Sequence, residues 1–274
     1  MSLQFIMGNS GSGKSYCLYD TVVREAIENP DKNYLVIVPE QFTMQTQKDL
    51  CLAHPKGGIM NIDVLSFGRL AYRVFEEVGQ DARVVLDDEG KNLVLRKIAG
   101  ECEKDLKVFK GNLKKQGYIS EVKSVLSEFA QYGVDFERLD DFMKEVPPES
   151  YLHYKLDDIR TIYEKFEEYL SEKYITKEEM LDVLSDAVPY SDILKGSVVA
   201  MDGFTGFTPV QNRLIGELFS VCEKVMITVT MDGRENPYVY EHPYQIFALG
   251  KQMVTSLMTV SYTHLRAHET SQDL

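Results

Sequence analysis

An apolar run, Phe5-Ile6-Met7, leads directly into Gly8-Asn9-Ser10-Gly11-Ser12-Gly13-Lys14-Ser15, a string that fits the phosphate-binding pattern G-x-x-x-x-G-K-[ST]. Between a strand and a helix, that pattern restricts the chain to α/β folds in which the loop after a parallel strand cradles phosphate. The chemistry demands these residue types. Glycines let consecutive backbone N–H groups turn toward phosphate oxygens, Lys14 reaches the β- and γ-phosphates, and the Ser15 hydroxyl ligates Mg²⁺. A helix opening near Lys14, with Tyr16, Leu18, Val22, Val23 and Ala26 as its apolar pattern, adds the positive end of its dipole. ATP and Mg²⁺ are therefore the expected ligands of Gly8, Asn9, Ser10, Gly11, Ser12, Gly13, Lys14 and Ser15.

Bulk charge narrows the partners. A net charge of −13 over 274 residues argues against a protein that coats nucleic acid indiscriminately. The excess acid is uneven: residues 1–84 carry 8 Lys+Arg against 10 Asp+Glu, and residues 85–195 carry 17 against 25. The first segment is thus near neutral and able to present a basic groove. No apolar run reaches the roughly 18 residues of a membrane span, and no secretory leader is visible, so a cytoplasmic protein without membrane contact is expected. Cys17, Cys51, Cys102 and Cys222 form no C-x-x-C pair and are expected to be buried, reduced thiols.

The hydrophobic period changes twice along the chain. Strands are expected at residues 3–7, 34–38 and 62–65, alternating with helices, as in a parallel sheet covered on both faces. From about residue 85 to 195 the period is helical: Val122, Val125, Leu126 and Phe129 form one stripe, and Ile159, Ile162, Tyr163, Phe166, Tyr169 and Leu170 another. Thr176 and Glu179 make a capping-box pattern. Strands then return at residues 197–201 and 224–230, separated by a helix start at Thr208, Pro209 and Gln211. The expected architecture is an α/β P-loop domain over 1–84 and 196–259 with a parallel sheet, interrupted by an all-helical insertion over 85–195. Residues 260–270 resemble a peptide encoded by a transposon-type sequencing-library adapter. The natural chain is therefore expected to stop matching this sequence near Thr259 and to continue differently, and 260–274 carry no functional argument.

Ligands of such folds bind beyond the carboxyl ends of the strands. There stand Pro39-Glu40-Gln41-Phe42-Thr43, then Ser66-Phe67-Gly68-Arg69-Leu70-Ala71-Tyr72-Arg73, then Asp202-Gly203-Phe204-Thr205-Gly206-Phe207-Thr208-Pro209. They offer an amide and a hydroxyl for base edges, two arginines for phosphates, and three or four rings on which bases can stack, with Phe67 and Phe207 equally readable as core residues flanking a buried strand. A P-loop nucleoside or small-molecule kinase with a helical lid is the alternative. Its lid would need clustered arginines, whereas the insertion offers only Arg96, Arg138 and Arg160, well separated.

In order and approximate spacing, these segments resemble the N-terminal region of the B subunit of bacterial AddAB (RexAB-type) ATP-dependent helicase/nucleases, over essentially residues 1–259. The resemblance implies a RecA-like, superfamily 1 helicase-like fold and a part in processing DNA double-strand breaks for recombinational repair. It also implies a heterodimer with an AddA-type motor subunit, acting on broken ends and single-stranded DNA. By the same resemblance Gln41, Phe42, Thr43, Phe67, Arg69, Phe204 and Phe207 face the single-strand channel where the recombination hotspot sequence (Chi) is read. The family's nuclease domain and its 4Fe-4S cluster lie further along the chain, so neither nuclease activity nor cluster is expected in this stretch. Asp202 stands where a Walker B acid would and, with Ser15, is the candidate Mg²⁺ partner, assisting through water; the alternative is that it caps the turn at the strand end. It is followed by Gly203 instead of the water-activating glutamate, which implies nucleotide binding with little hydrolysis.

Overall fold

The computed structural model describes residues 2–79, 84–113, 115–171 and 173–272. Packing divides the chain into two compact units, Met1–Gln80 with Leu181–Leu274, and Asp81–Met180.

The first unit opens with β1 (Ser2–Gly8), α1 (Lys14–Glu28), β2 (Tyr34–Ile37), α2 (Thr43–Ala53), β3 (Ile62–Leu65) and α3 (Phe67–Val78). In the second unit follow β4 (Val84–Leu86), α4 (Asp88–Glu101), α5 (Gln116–Tyr132), α6 (Phe136–Glu145), α7 (Tyr151–Leu170) and β5 (Tyr174–Thr176). Helix α8 (Glu179–Ala187) contains the division, and β6 (Val198–Met201), α9 (Pro209–Val221), β7 (Lys224–Thr230) and α10 (Ala248–Gln272) complete the first unit.

The five strands of the first unit form one sheet in the order β1-β7-β6-β2-β3, every neighbouring pair parallel. Alternation sends Tyr34, Val36, Val198, Ala200 and Met226 to one face, where they pack with Leu18, Val22 and Ala26 of α1 and Leu50 of α2. Leu35, Ile37, Val199, Met201, Val225 and Ile227 point the other way and are equally buried, so both faces are covered. Ile37 lies opposite both Leu65 and Met201, so β2, β3 and β6 end level, while β1 and β7 continue to the pair Gly8 and Thr230. At α9, Thr208 and Gln211 form the full capping box expected there, with Pro209 in the first turn.

Three expectations need correction. The insertion is not all helical: β4 and β5 pair in parallel, Val84 opposite Tyr174 through Leu86 opposite Thr176. Strands of three residues are too short for a period to register. Residues 181–195, expected in the insertion, pack with the sheet unit. Arg213 of α9 binds Asp182 (2.8 Å) and Asp186 (2.6 Å) of α8, and Leu184, Ala187, Val188 and Leu194 are buried. Of the four free cysteines, Cys102 and Cys222 are buried as expected, Cys51 is half-buried and Cys17 is exposed on α1. The backbone of α10 runs helical to Gln272.

The second unit holds its own core, built from Leu95 and Ile98 of α4, Val122 and Leu126 of α5, Leu139 of α6, and Ile159, Ile162 and Phe166 of α7. Buried Asp158 accepts hydrogen bonds from three successive backbone N–H groups, those of Lys107 (2.8 Å), Val108 (2.7 Å) and Phe109 (2.8 Å), and so ties the segment after α4 to α7. Burial, with Glu179 adding repulsion, pushes the Glu167 carboxyl up from 4.5 to about 7. It lines a small cavity shared with Lys91, Lys123, Tyr163 and Glu178, in which Lys91 is already paired with Glu178 at 2.6 Å.

A carboxyl whose folded pKa is raised adds stability below its unfolded pKa, and that stability is lost as pH rises through the folded value. The unit should therefore weaken from about pH 4.5 to about pH 7 on account of Glu167. Glu167→Gln should flatten this decline and raise the melting temperature above pH 7, as read by thermal unfolding across a pH series.

Candidate nucleotide and nucleic-acid site

The loop after β1 is shaped by its glycines. Gly11 (φ 75°) and Gly13 (φ 85°) are left-handed, a conformation costly for residues with a Cβ. A Cβ at Gly8 would run into the Ser12 side chain, so the strand end must stay bare for the loop to fold over it. The Ser12 N–H donates to the Asn9 carbonyl at 3.2 Å, closing the turn. Helix α1 then begins without a side-chain cap and without an acid in its first turn. Its leading N–H groups and dipole are thereby left for an anion. Lys14 folds back, its Nζ donating to the Asn9 carbonyl at 2.8 Å, and Ser15 is half-buried.

Asp202, directly after β6, is buried and fully engaged. Its Oδ1 accepts from Thr228 Oγ1 of β7 at 2.6 Å, and its Oδ2 accepts from Tyr19 Oη of α1 at 2.7 Å. Tyr19 Oη also lies 3.3 Å from Thr46 Oγ1 of α2. Burial, reinforced by the Asp202 carboxylate, holds the Tyr19 phenol protonated far above its usual range. The acid thus fastens the helix of the nucleotide loop to two adjacent strands. Sequence reasoning missed Tyr19, Thr46 and Thr228 because they lie far from Asp202 in the chain and belong to no motif. Among the described residues no group of three or more His, Cys, Asp or Glu is placed to hold a metal ion.

The ends of β2, β3 and β6 gather the remaining candidates. Phe67, Phe204 and Phe207 form one aromatic cluster, with ring centroids 5.4 Å apart for Phe67 and Phe204, 6.3 Å for Phe67 and Phe207, and 5.1 Å for Phe204 and Phe207. Phe67 is only 7% exposed and forms the floor, while Phe204 and Phe207 are half-buried above it. Gln41 and Phe42 are exposed; Thr43 is buried, its hydroxyl bonded to the Glu40 carbonyl at 3.0 Å. Gly203 (φ 79°) lets the chain turn beside Pro39 and Phe42, which a Cβ there would touch at 3.5 and 3.7 Å. Ser66 caps α3 by accepting the Arg69 N–H.

Both arginines of α3 stand beside carboxylates. Arg69 Nε lies 3.3 Å from Glu40 Oε1, and Arg73 pairs with Asp63 at 3.0 Å. Glu40 adjoins Gln41 in sequence, which was the available signal for it. Because all strands are parallel, the phosphate loop and this aromatic and arginine group occupy one carboxyl edge of one sheet, the position where α/β folds bind ligands.

The family described as "ADDB, N-terminal" matches residues 5–272. The chain is 46% identical over 264 residues to the ATP-dependent helicase/deoxyribonuclease B subunit of Lachnoclostridium phytofermentans, covering 96% of this chain and 23% of that protein. It is 35% identical over 232 residues to the protein of that name from Alkaliphilus metalliredigens, covering 85% and 20% respectively. The same-named protein of Thermoanaerobacter sp. X514 is 34% identical over 276 residues, covering 100% and 24%. The chain thus spans about a quarter of the length of the curated relatives it matches. No helix among the described residues is long and apolar enough to cross a membrane.

Removing a donor from a buried carboxylate costs roughly 1–3 kcal/mol. Tyr19→Phe should lower stability by about that amount in denaturant unfolding and loosen α1, while Tyr16→Phe, on the exposed side of the same helix, should be near neutral.

Proposed function

The chain belongs to the AddB N-terminal family, and from that premise we propose that it is the nucleotide-binding, DNA-scanning front of the B component in an AddAB-type helicase/nuclease that processes double-strand breaks for recombinational repair. The observation that carries this reading is the sharing of one sheet edge by the phosphate loop and by Gln41, Phe42, Arg69, Phe204 and Phe207. The sheet domain is read as RecA-like. Its partners are single-stranded DNA at a broken end and an AddA-type subunit.

ATP fits the loop in chemical terms. The uncapped, acid-free start of α1 presents N–H groups to phosphate, Lys14 exchanges the Asn9 carbonyl for a phosphate oxygen, and the Ser15 hydroxyl is the Mg²⁺ ligand. Bound Mg²⁺ neutralises phosphate charge. Asp202, committed to Tyr19 and Thr228, supports the metal site chiefly by fixing α1. Gly203 supplies no carboxylate to orient a water, so binding proceeds with little turnover. Phe204 and Phe207 offer ring faces to bases, Phe67 supports them, and Gln41 and Arg69 face base edges or phosphates. The kinase alternative gains no observation in its favour: Arg160 is occupied by Asp140 and Glu164, and Arg138 by the Gly133 carbonyl.

Calorimetric titration of Mg-ATP should give saturable binding that Lys14→Ala abolishes, with negligible phosphate release. Brisk turnover would favour a motor or kinase instead. In the full complex, Gln41→Ala and Arg69→Ala should each weaken hotspot-dependent attenuation of DNA degradation. Unchanged attenuation in both would remove these side chains from the reading surface.

A further inference from the structure

We infer that Glu40 is a specificity residue of this surface, a counter-ion that holds Arg69 back from indiscriminate phosphate contacts and leaves it to neutral base edges. The inference rests on the reading of the edge as a single-strand contact.

Two observations carry it. Arg69 has its backbone fixed by the Ser66 cap, and its guanidinium Nε lies 3.3 Å from Glu40 Oε1. Glu40 is equally well placed, since it opens the 3-10 turn Glu40–Phe42 and its carbonyl accepts the Thr43 hydroxyl. Both side chains are open to solvent, 54% exposed for Arg69 and 64% for Glu40. An exposed pair of this kind adds at most about 1 kcal/mol to stability, so it is not there as a structural tie. Its effect falls on ligands. Every single strand brings phosphates, and a phosphate approaching Arg69 must displace or approach a carboxylate of its own sign. A base edge such as the O6 and N7 acceptors of guanine is neutral and meets no such repulsion. A fixed carboxylate beside an arginine therefore penalises the contact common to all sequences more than the contact that distinguishes them, which is specificity by disfavouring the wrong ligand. The second arginine on α3 repeats the arrangement, Arg73 being held by Asp63 at 3.0 Å.

The test is fluorescence anisotropy of labelled oligo-dT with the full-length protein across a potassium chloride series, for wild type, Glu40→Gln, Arg69→Ala and the double variant. Both residues are exposed, so no substitution empties a buried site. Glu40→Gln should tighten oligo-dT binding roughly two- to fivefold at low salt. It should also steepen the slope of log K against log salt by about 0.7, one further phosphate contact. Both gains should vanish in the Arg69→Ala background. If Glu40→Gln changes neither affinity nor slope while Arg69→Ala weakens binding, the inference falls and the nucleic-acid reading stands. A gain that survives Arg69→Ala overturns it too, since Glu40 then acts by charge alone. If Arg69→Ala changes nothing, the surface itself has been misread and both fall.

Discussion

All five strands of the sheet run in one direction, and the location of each candidate ligand group follows from that constraint. Parallel pairing forces every connection to cross back over a face, which explains why β2, β6 and β7 are nearly continuous apolar runs buried on both sides. It also places every strand end on the same edge. The glycine loop after β1, the Glu40–Phe42 turn after β2, the Ser66 cap after β3 and Asp202 after β6 are far apart in sequence, and only the shared polarity of the strands gathers them. Had one of these strands been reversed, its terminal loop would lie at the opposite edge.

Much of this was legible because its determinants are local. The phosphate loop needs its residues contiguous, so a string of eight suffices, and the boxes Thr208 with Gln211 and Thr176 with Glu179 close within one helical turn. What escaped was non-local or short. The β4–β5 pair joins three-residue strands at opposite ends of the helical unit. The Asp202 network draws on α1, α2 and β7, none marked by a pattern. The core alternative held open for Phe67 is the one the structure takes, with Phe204 and Phe207 packed against it, whereas Phe207 stays half-buried.

Electrostatics set a second limit on sequence reasoning. Counting charges left residues 1–84 near neutral, compatible with a basic groove, but the count says nothing about pairing. Arg69 and Arg73 each sit beside a carboxylate, so each is a moderated cation. For an acidic chain this is coherent. Recognition that relies on stacking and base edges gains little from long-range attraction to phosphate, which would favour all sequences alike.

Asp202 shows how a catalytic-looking residue can have a mainly mechanical part. An acid at the end of a strand beside a phosphate loop invites a metal role, yet here each oxygen accepts a hydroxyl, one from the helix that begins at Lys14 and one from the neighbouring strand. The next residue is glycine, whose left-handed turn leads straight into Phe204. From Lys14 to Phe204 the covalent and hydrogen-bonded path therefore runs along α1 to Tyr19, across one hydrogen bond to Asp202, and two residues on to Phe204. A Cβ in place of the Gly203 hydrogen would make ordinary contact with Pro39 and Phe42, but the backbone of a larger residue would be strained at φ 79°. The turn into Phe204 thus favours glycine by its backbone conformation, at the position directly after the buried acid.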